Sequence, residues 1–419
     1  MKKNGFIMST YIYVLLVFFL LLLGTMLVVL NNTRLLANKI KENTDGNIDF
    51  NLILKGDKEI ILKKDSEYIE PGYIATTFDG EKLEVSVMGE VNVNKLGEYD
   101  IIYIAEYKGV EKKVKRKVIV AENLVTYITN LYKTNNILNN LKKDNTEDKN
   151  IRYYGSDPNN YVRFNNELWR IIGVFGNNVK LVRSESLGSL SWDSSASTIN
   201  SGSGVNEWSQ ADLQVYLNKM YYGGTTVTCY GEYRNTTTAC PTNRLDDASK
   251  SLIDYHTWNT GAPNRETLYN STTRSYDTVE FYKAERGTTN GKTCSGGSDC
   301  NDTVTRTTEW IGYVGLPYVT DYAYASSEND CNTKIDQLST YKCKNNNWMS
   351  KNIWYWTLSP GAHSGYSTNV WDVYSVDIVS NDRAGNGLAV FPAIYLKSDI
   401  LIESGTGTSS DPYILKASA

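Results

Sequence analysis

Six cysteines, two histidines and a late cluster of tryptophans are the side chains of this chain whose chemistry could set a function. Cys229, Cys240, Cys294, Cys300, Cys331 and Cys343 all lie in the last half, and the gaps within successive pairs are 11, 6 and 12 residues. That spacing predicts disulfides between neighbours, Cys229 with Cys240, Cys294 with Cys300 and Cys331 with Cys343, each stapling a loop; free thiols are the rival state. No Cys-x-x-Cys occurs and no histidine adjoins a cysteine, so no zinc site and no other metal ligand is assigned. His256, in Asp254-Tyr255-His256-Thr257-Trp258, and His363, in Gly361-Ala362-His363-Ser364-Gly365, read as structural residues, and no Gly-x-Ser-x-Gly elbow marks a serine nucleophile. No catalytic residue and no cofactor is therefore expected. Asp299, Asn301 and Asp302 carry oxygens that could meet calcium, but with Gly296-Gly297 and Cys300 beside them they read as an acidic turn. Asn235, Asn270 and Asn301 open Asn-x-Ser/Thr sequons, which chance supplies in a chain this rich in Asn and Thr. Trp354, Trp356, Trp371 and Asp372 fall close together. Flat aromatic faces suit sugar rings, so these four are the candidate ligand contacts, against a competing reading as strand core.

Disulfides require an oxidising compartment, and the elements before them must deliver the last half of the chain to one. Residues 11–30 contain no charge, and twenty helical residues span about 30 Å, the hydrocarbon thickness of a bilayer. The stretch predicts a transmembrane helix acting as an uncleaved signal anchor, because a cleaved signal has a shorter apolar run and ends at small residues, unlike Asn31-Asn32-Thr33-Arg34. Basic residues flank it on both sides, so the cysteines decide orientation: N-terminus cytoplasmic, C-terminal domains extracellular. A pilin-like structural subunit processed between Gly5 and Phe6 is an alternative, since Lys2-Lys3-Asn4-Gly5-Phe6 is similar to a prepilin leader; Thr10 stands where those proteins carry glutamate. The 419 residues allow two or three cores, and 41% hydrophobic with 21% charged residues describes a folded protein. A net charge of −4 gives no footprint for nucleic acid.

Three further segments follow residues 1–48, which hold the cytoplasmic tip, the anchor and a juxtamembrane linker. Residues 49–121 alternate apolar and polar side chains, as in Tyr99, Ile101, Tyr103 and Ala105, then Val114, Arg116, Val118 and Val120, with turns at Asp79-Gly80 and Lys108-Gly109. They predict an all-β sandwich. Glu70-Pro71-Gly72-Tyr73, Gly89-Glu90-Val91, Gly97-Glu98-Tyr99 and Arg116-Lys117-Val118-Ile119-Val120 resemble the bacterial immunoglobulin-like domain of pesticidal crystal proteins and many surface proteins. That resemblance implies a spacer without chemistry of its own.

Residues 122–150 read as a polar linker with a helix, and residues 151–419 as an α+β head. In the head, residues 161–183 predict three strands joined by two turns at Asn165-Asn166 and Gly176-Asn177. A helix is expected from a Ser209 cap through Leu213, Tyr216, Leu217 and Met220, and a second over residues 246–257. The 161–183 meander, Trp310-Ile311-Gly312-Tyr313, Trp356-Thr357-Leu358-Ser359-Pro360 and Val390-Phe391-Pro392-Ala393-Ile394-Tyr395-Leu396 resemble an uncharacterised surface domain of low-GC Gram-positive bacteria. That domain is distantly similar to the C-type-lectin-like fold of formylglycine-generating enzymes. The relation leaves a formylglycine-generating or other surface enzyme as a further alternative, although no cysteine here matches the reactive pair of those enzymes. The leading expectation is a non-catalytic, membrane-anchored binding or adhesion protein whose partners are the membrane, through residues 11–30, and an extracellular glycan or protein.

Overall fold

The computed structural model describes residues 49–194, 204–231, 236–273, 275–287, 293–294, 306–336, 342–344, 346–362, 368–374 and 379–418, with Leu23 and Met26. Residues 11–30 and the Gly5/Phe6 junction otherwise lie outside them. Among the described residues no helix is long and apolar enough to cross a membrane.

The chain folds into two compact units. In the first, Asn51–Leu54 pairs antiparallel with Tyr73–Thr76, and a four-stranded sheet runs in the order Glu59–Lys63, Val110–Ala121, Gly97–Tyr107, Val85–Met88. Alternation does its expected work here: Ile101, Tyr103, Ala105 and Val118 are buried while their neighbours stay wetter. The predicted Lys108-Gly109 turn has positive φ at both residues, 49° and 81°, the geometry whose twist matches the two long flanking strands. Arg116 occupies a core position on this face. Its guanidinium is fully buried and satisfied, with Nε donating to Glu70 Oε1 at 3.1 Å and Nη2 to the carbonyls of Lys55 at 2.7 Å and Gly72 at 3.0 Å.

The second unit is mostly β-sheet with short helices. Its larger sheet runs Val314–Gly315, Ala393–Tyr395, Asn178–Arg183, Glu167–Phe175, Tyr161–Phe164, Tyr413–Lys416, Leu401–Ser404, with Leu141–Lys143 and Ile151–Tyr153 joined through Glu167–Phe175. The predicted meander of residues 161–183 forms the middle of it, with Asn165 and Asn166 at φ 54° and 58° and Gly176 at 58° in the two turns. A five-stranded sheet runs Ser189–Ser191, Gly387–Ala389, Tyr355–Pro360, Asn369–Val373, Val379–Arg383. One core gathers Trp169, Trp192, Trp208, Trp258 and Trp356; a second gathers Tyr276, Phe281, Tyr322, Trp348 and Trp371.

Two expectations change and one is filled in. Residues 122–150 hold the expected helix, Leu124–Asn135 capped by Asn123, and Leu124, Ile128 and Leu141 enter the first core of the second unit, where their apolar area leaves water. Ser209 is not the helix cap. Glu207 caps a 3-10 turn, Trp208–Gln210, and accepts from Ser209 Oγ at 2.6 Å, so that the helix proper begins at Asp212 and continues through a π-helical Tyr216–Tyr222. The second helix is shorter than residues 246–257, being Asp247–Leu252 capped by Asp246; at Ile253 the backbone turns extended and His256–Asn259 pairs with Glu309–Gly312.

Candidate functional site

The four aromatic and acidic candidates part company. Trp356 and Trp371 are fully buried, and their indole N–H groups donate to backbone, to Leu190 O at 2.9 Å and to Pro263 O at 3.1 Å. Trp371 packs edge-on against Phe281 and Tyr276. Asp372 is buried as well; burial, aided by Asp382, pushes its carboxyl well above the usual range. These three therefore cannot touch a ligand. Every residue of Tyr355–Pro360 is buried, so alternation along that strand says nothing about exposure. Trp354 precedes the strand and remains 36% exposed, with its ring 4.2 Å from that of Tyr374.

Two of the three expected disulfides are formed, Cys229 to Cys240 and Cys331 to Cys343. The expected Cys294–Cys300 bond, Asp299, Asn301, Asp302, Asn235 and His363 lie outside the described residues or have side chains outside them. Asn270 is exposed and its Oδ1 accepts from the backbone of Thr272 and Thr273. His256 is a strand residue rather than a helix end. Its ring stacks on Tyr395 at 3.7 Å and its Nδ1 lies 2.9 Å from Asp254 Oδ2; burial lowers it below the usual imidazole range against the pull of Asp254.

The strongest electrostatics are internal. Arg152 lies between Asp144, at 3.0 Å, and Asp321, at 2.6 Å, and Lys180 meets the other oxygen of Asp321 at 2.6 Å, all four side chains being at most 1% exposed. Two cations and two anions balance. Burial lowers Lys180 to about 8 against the pull of Asp321, whereas Asp321 stays below its usual range because Lys180 and Arg152 outweigh burial. The network ties Asn178–Arg183 and Ile151–Tyr153 to the first turn of Val319–Ala325, and thereby fixes that helix on the sheet. Next to it, Glu285 is fully buried, accepts from Thr320 Oγ1 at 2.5 Å and Ser359 Oγ at 2.8 Å, and is pushed up to about 7 by burial.

What faces solvent with binding chemistry is the outer side of the ribbon made by His256–Asn259 and Glu309–Gly312. The register sets Thr257 opposite Ile311 and Asn259 opposite Glu309 on that side, while Trp258 and Trp310 turn to the other. Trp258 is fully buried and anchors the ribbon, its indole donating to Gly312 O at 3.0 Å. A Cβ at Gly312 would come within 1.8 Å of the Trp310 ring, so any larger residue there would push that ring aside. At the ribbon's end three tyrosines gather: Tyr313 stacks on Tyr222 at 4.0 Å with planes 9° apart, and Tyr255, 60% exposed, leans on Tyr313 at 4.8 Å. Asn218, one turn before Tyr222, holds the arrangement by donating to Val314 O at 2.9 Å and accepting from Tyr313 N at 3.2 Å. Exposed Ile311 and the polar Thr257, Asn259 and Glu309 continue the surface. Sequence reading passed over Tyr222, Tyr255 and Tyr313. The signal was the alternation Tyr255, His256, Thr257, Trp258, which the expected helix obscured.

Comparison with known proteins touches a small part of the chain. No curated protein matches it. Among solved structures, the crystal structure of a lipoprotein from Bacteroides thetaiotaomicron is 37% identical over 18% of this chain and 39% of that one, with a TM-score of 0.17. The chain thus spans well under half of that lipoprotein, and the likeness carries nothing further. Residues 52–120 match the family described as bacterial surface protein, Ig-like domain, and the sheets from Asn51–Leu54 to Val110–Ala121 are that domain.

Proposed function

We propose that the chain is a non-catalytic, membrane-anchored binding protein of a bacterial cell surface. Residues 11–30 hold it in the membrane, the Ig-like domain serves as spacer, and the second unit is a lectin-like head exposed outside the cell. Its ligand is an extracellular glycan, taken on the tyrosine ledge formed by Tyr255, Tyr313 and Tyr222. The observation that carries this reading is the exposed ring of Tyr255, set at 45° against Tyr313 at the end of a ribbon whose inner side is locked into the core: a supported aromatic face with hydroxyl, amide and carboxylate groups along the same ribbon is what a sugar ring needs. The Ig-like match and the two closed disulfides support an extracytoplasmic address.

The test is a glycan array probed with the full chain in detergent micelles, alongside Tyr255→Ala. Losing one stacked ring should weaken capture about tenfold, which is about 1.4 kcal/mol. Capture that survives Tyr255→Ala unchanged removes the ledge from the binding site, and an array without signal removes the glycan.

A further inference from the structure

A cleft of about 470 Å3, lined by none of the three ledge tyrosines, opens on the second unit between the end of the helix Arg265–Leu268, the hairpin Tyr269–Asn270/Ser275–Asp277 and the strand Lys334–Asp336. That volume lies within the roughly 300–1,000 Å3 of small-molecule sites. Its lining is polar, with Asn270, Thr273, Ser275, Asp277, Glu280 and Lys334 contributing amide, hydroxyl, carboxylate and ammonium groups.

The walls are braced. Asp277 and Lys334 are directly opposite each other in register. Asp277 Oδ1 caps the helix Thr278–Glu285 by accepting from Glu280 N at 2.9 Å, which fixes the carboxylate at the cleft. Thr278 N donates to Thr333 O at 3.0 Å and Thr278 Oγ1 to Cys331 O at 3.0 Å, so that the helix start and the Lys334 strand move as one piece. The Cys331–Cys343 disulfide closes the same segment. Of the two carboxylates on the lining, Glu280 is engaged by Lys283, whose Nζ donates to its Oε1 at 3.1 Å, whereas the Lys334 ammonium makes no ion pair with any described residue.

We infer that this cleft is a second binding site, for a short neutral saccharide whose hydroxyls donate to Asp277 and accept from Lys334. A vicinal diol offers both roles at once: Asp277 and Lys334, opposite in register with hydroxyls around them, present an acceptor and a donor side by side, while Glu280 is balanced by Lys283. The site reads ring edges, whereas the tyrosine ledge reads ring faces. It stands whether or not the ledge binds.

The experiment is titration calorimetry of the full chain in micelles with glucose, galactose, N-acetylglucosamine and their disaccharides. Asp277→Asn keeps a good helix cap and removes the charge, and Lys334→Ala alters an exposed side chain; unchanged thermal melts confirm that both variants fold. The expected result is saturable binding of at least one sugar, weakened at least fivefold by each variant and unchanged by Tyr255→Ala. Binding insensitive to both variants overturns the cleft and, if Tyr255→Ala abolishes it, belongs to the ledge. No saturable binding of any of these sugars also overturns the cleft, while leaving the array result for the ledge to stand or fall by itself.

Discussion

Replacing Glu285 by glutamine should change how the second unit responds to pH. Glu285 is fully buried between Thr320 and Ser359, and burial, partly offset by Arg286 at 3.8 Å, raises its carboxyl from an ordinary 4.5 to about 7. At acid pH both folded and unfolded chains hold the proton, and the group carries no penalty. Between 4.5 and about 7 the unfolded chain has released the proton while the folded one retains it, so stability falls as pH rises, and above about 7 the fall levels off. The difference between the two values amounts to roughly 3 kcal/mol. Glutamine is neutral throughout and can keep two of the three contacts, so the wild type and the Glu285→Gln variant should differ least near pH 4. The variant should gain up to roughly 3 kcal/mol relative to wild type by about pH 8. Any altered hydrogen bond shifts the whole difference curve without changing its slope. All nine tryptophans lie at or beyond Trp169, so tryptophan fluorescence during denaturant titration reports on the second unit alone. Asp372 and His256 titrate in both proteins and cancel in the difference. Parallel stability curves between pH 4 and 8 would refute the argument.

Two other outcomes follow from the same packing. Trp371→Ala should destabilise the second unit by roughly 3–5 kcal/mol, because a fully buried indole leaves a cavity and one hydrogen bond to Pro263 O is lost, whereas Trp354→Ala should change stability by about 1 kcal/mol or less; equal effects in fluorescence-monitored unfolding would contradict the burial assigned to them. The Cys331–Cys343 disulfide, with a sequence separation of 12, should contribute about 2–3 kcal/mol, and mild reduction should speed amide exchange at Lys334–Asp336 before far-UV circular dichroism changes; simultaneous loss of both would mean that the bond supports the whole core.

Local signals were legible and long-range ones were not. Asn165-Asn166 and Lys108-Gly109 announce two-residue turns because Asn and Gly tolerate the positive φ such turns require, and the strands around them follow. The spacing of Cys229 and Cys331 to their neighbours gave both observed disulfides for a similar reason: short loops close at little entropic cost. Trp356 and Trp371 defeated the same reasoning, since a strand covered on both faces has no polar side for alternation to reveal. The tyrosine ledge was hidden by distance along the chain. Tyr255 becomes a surface feature only when His256–Asn259 finds Glu309–Gly312, a pairing with about fifty residues between its strands, and no property of either strand alone selects that partner.

Residue type and position are inverted at the informative places in this protein. Arg116, Arg152, Lys180, Asp321 and Glu285 are among the most buried side chains, while Tyr255, Ile311 and Trp354 stand in water. The buried charges are compensated or hydrogen-bonded, and they join elements far apart in sequence, which explains them structurally without any ligand. No comparable internal account exists for exposed aromatic and aliphatic side chains, because leaving them wet forgoes the stabilisation that burial would bring. Tyr255 moreover leans on Tyr313, and Ile311 sits opposite Thr257 on the outer side of the ribbon, which Trp258 and Asn218 brace. A rigid support under an exposed apolar surface is the arrangement that lowers the entropic cost of capturing a ligand, so the ribbon, rather than the tryptophan-rich strand, is where recognition has the better physical case.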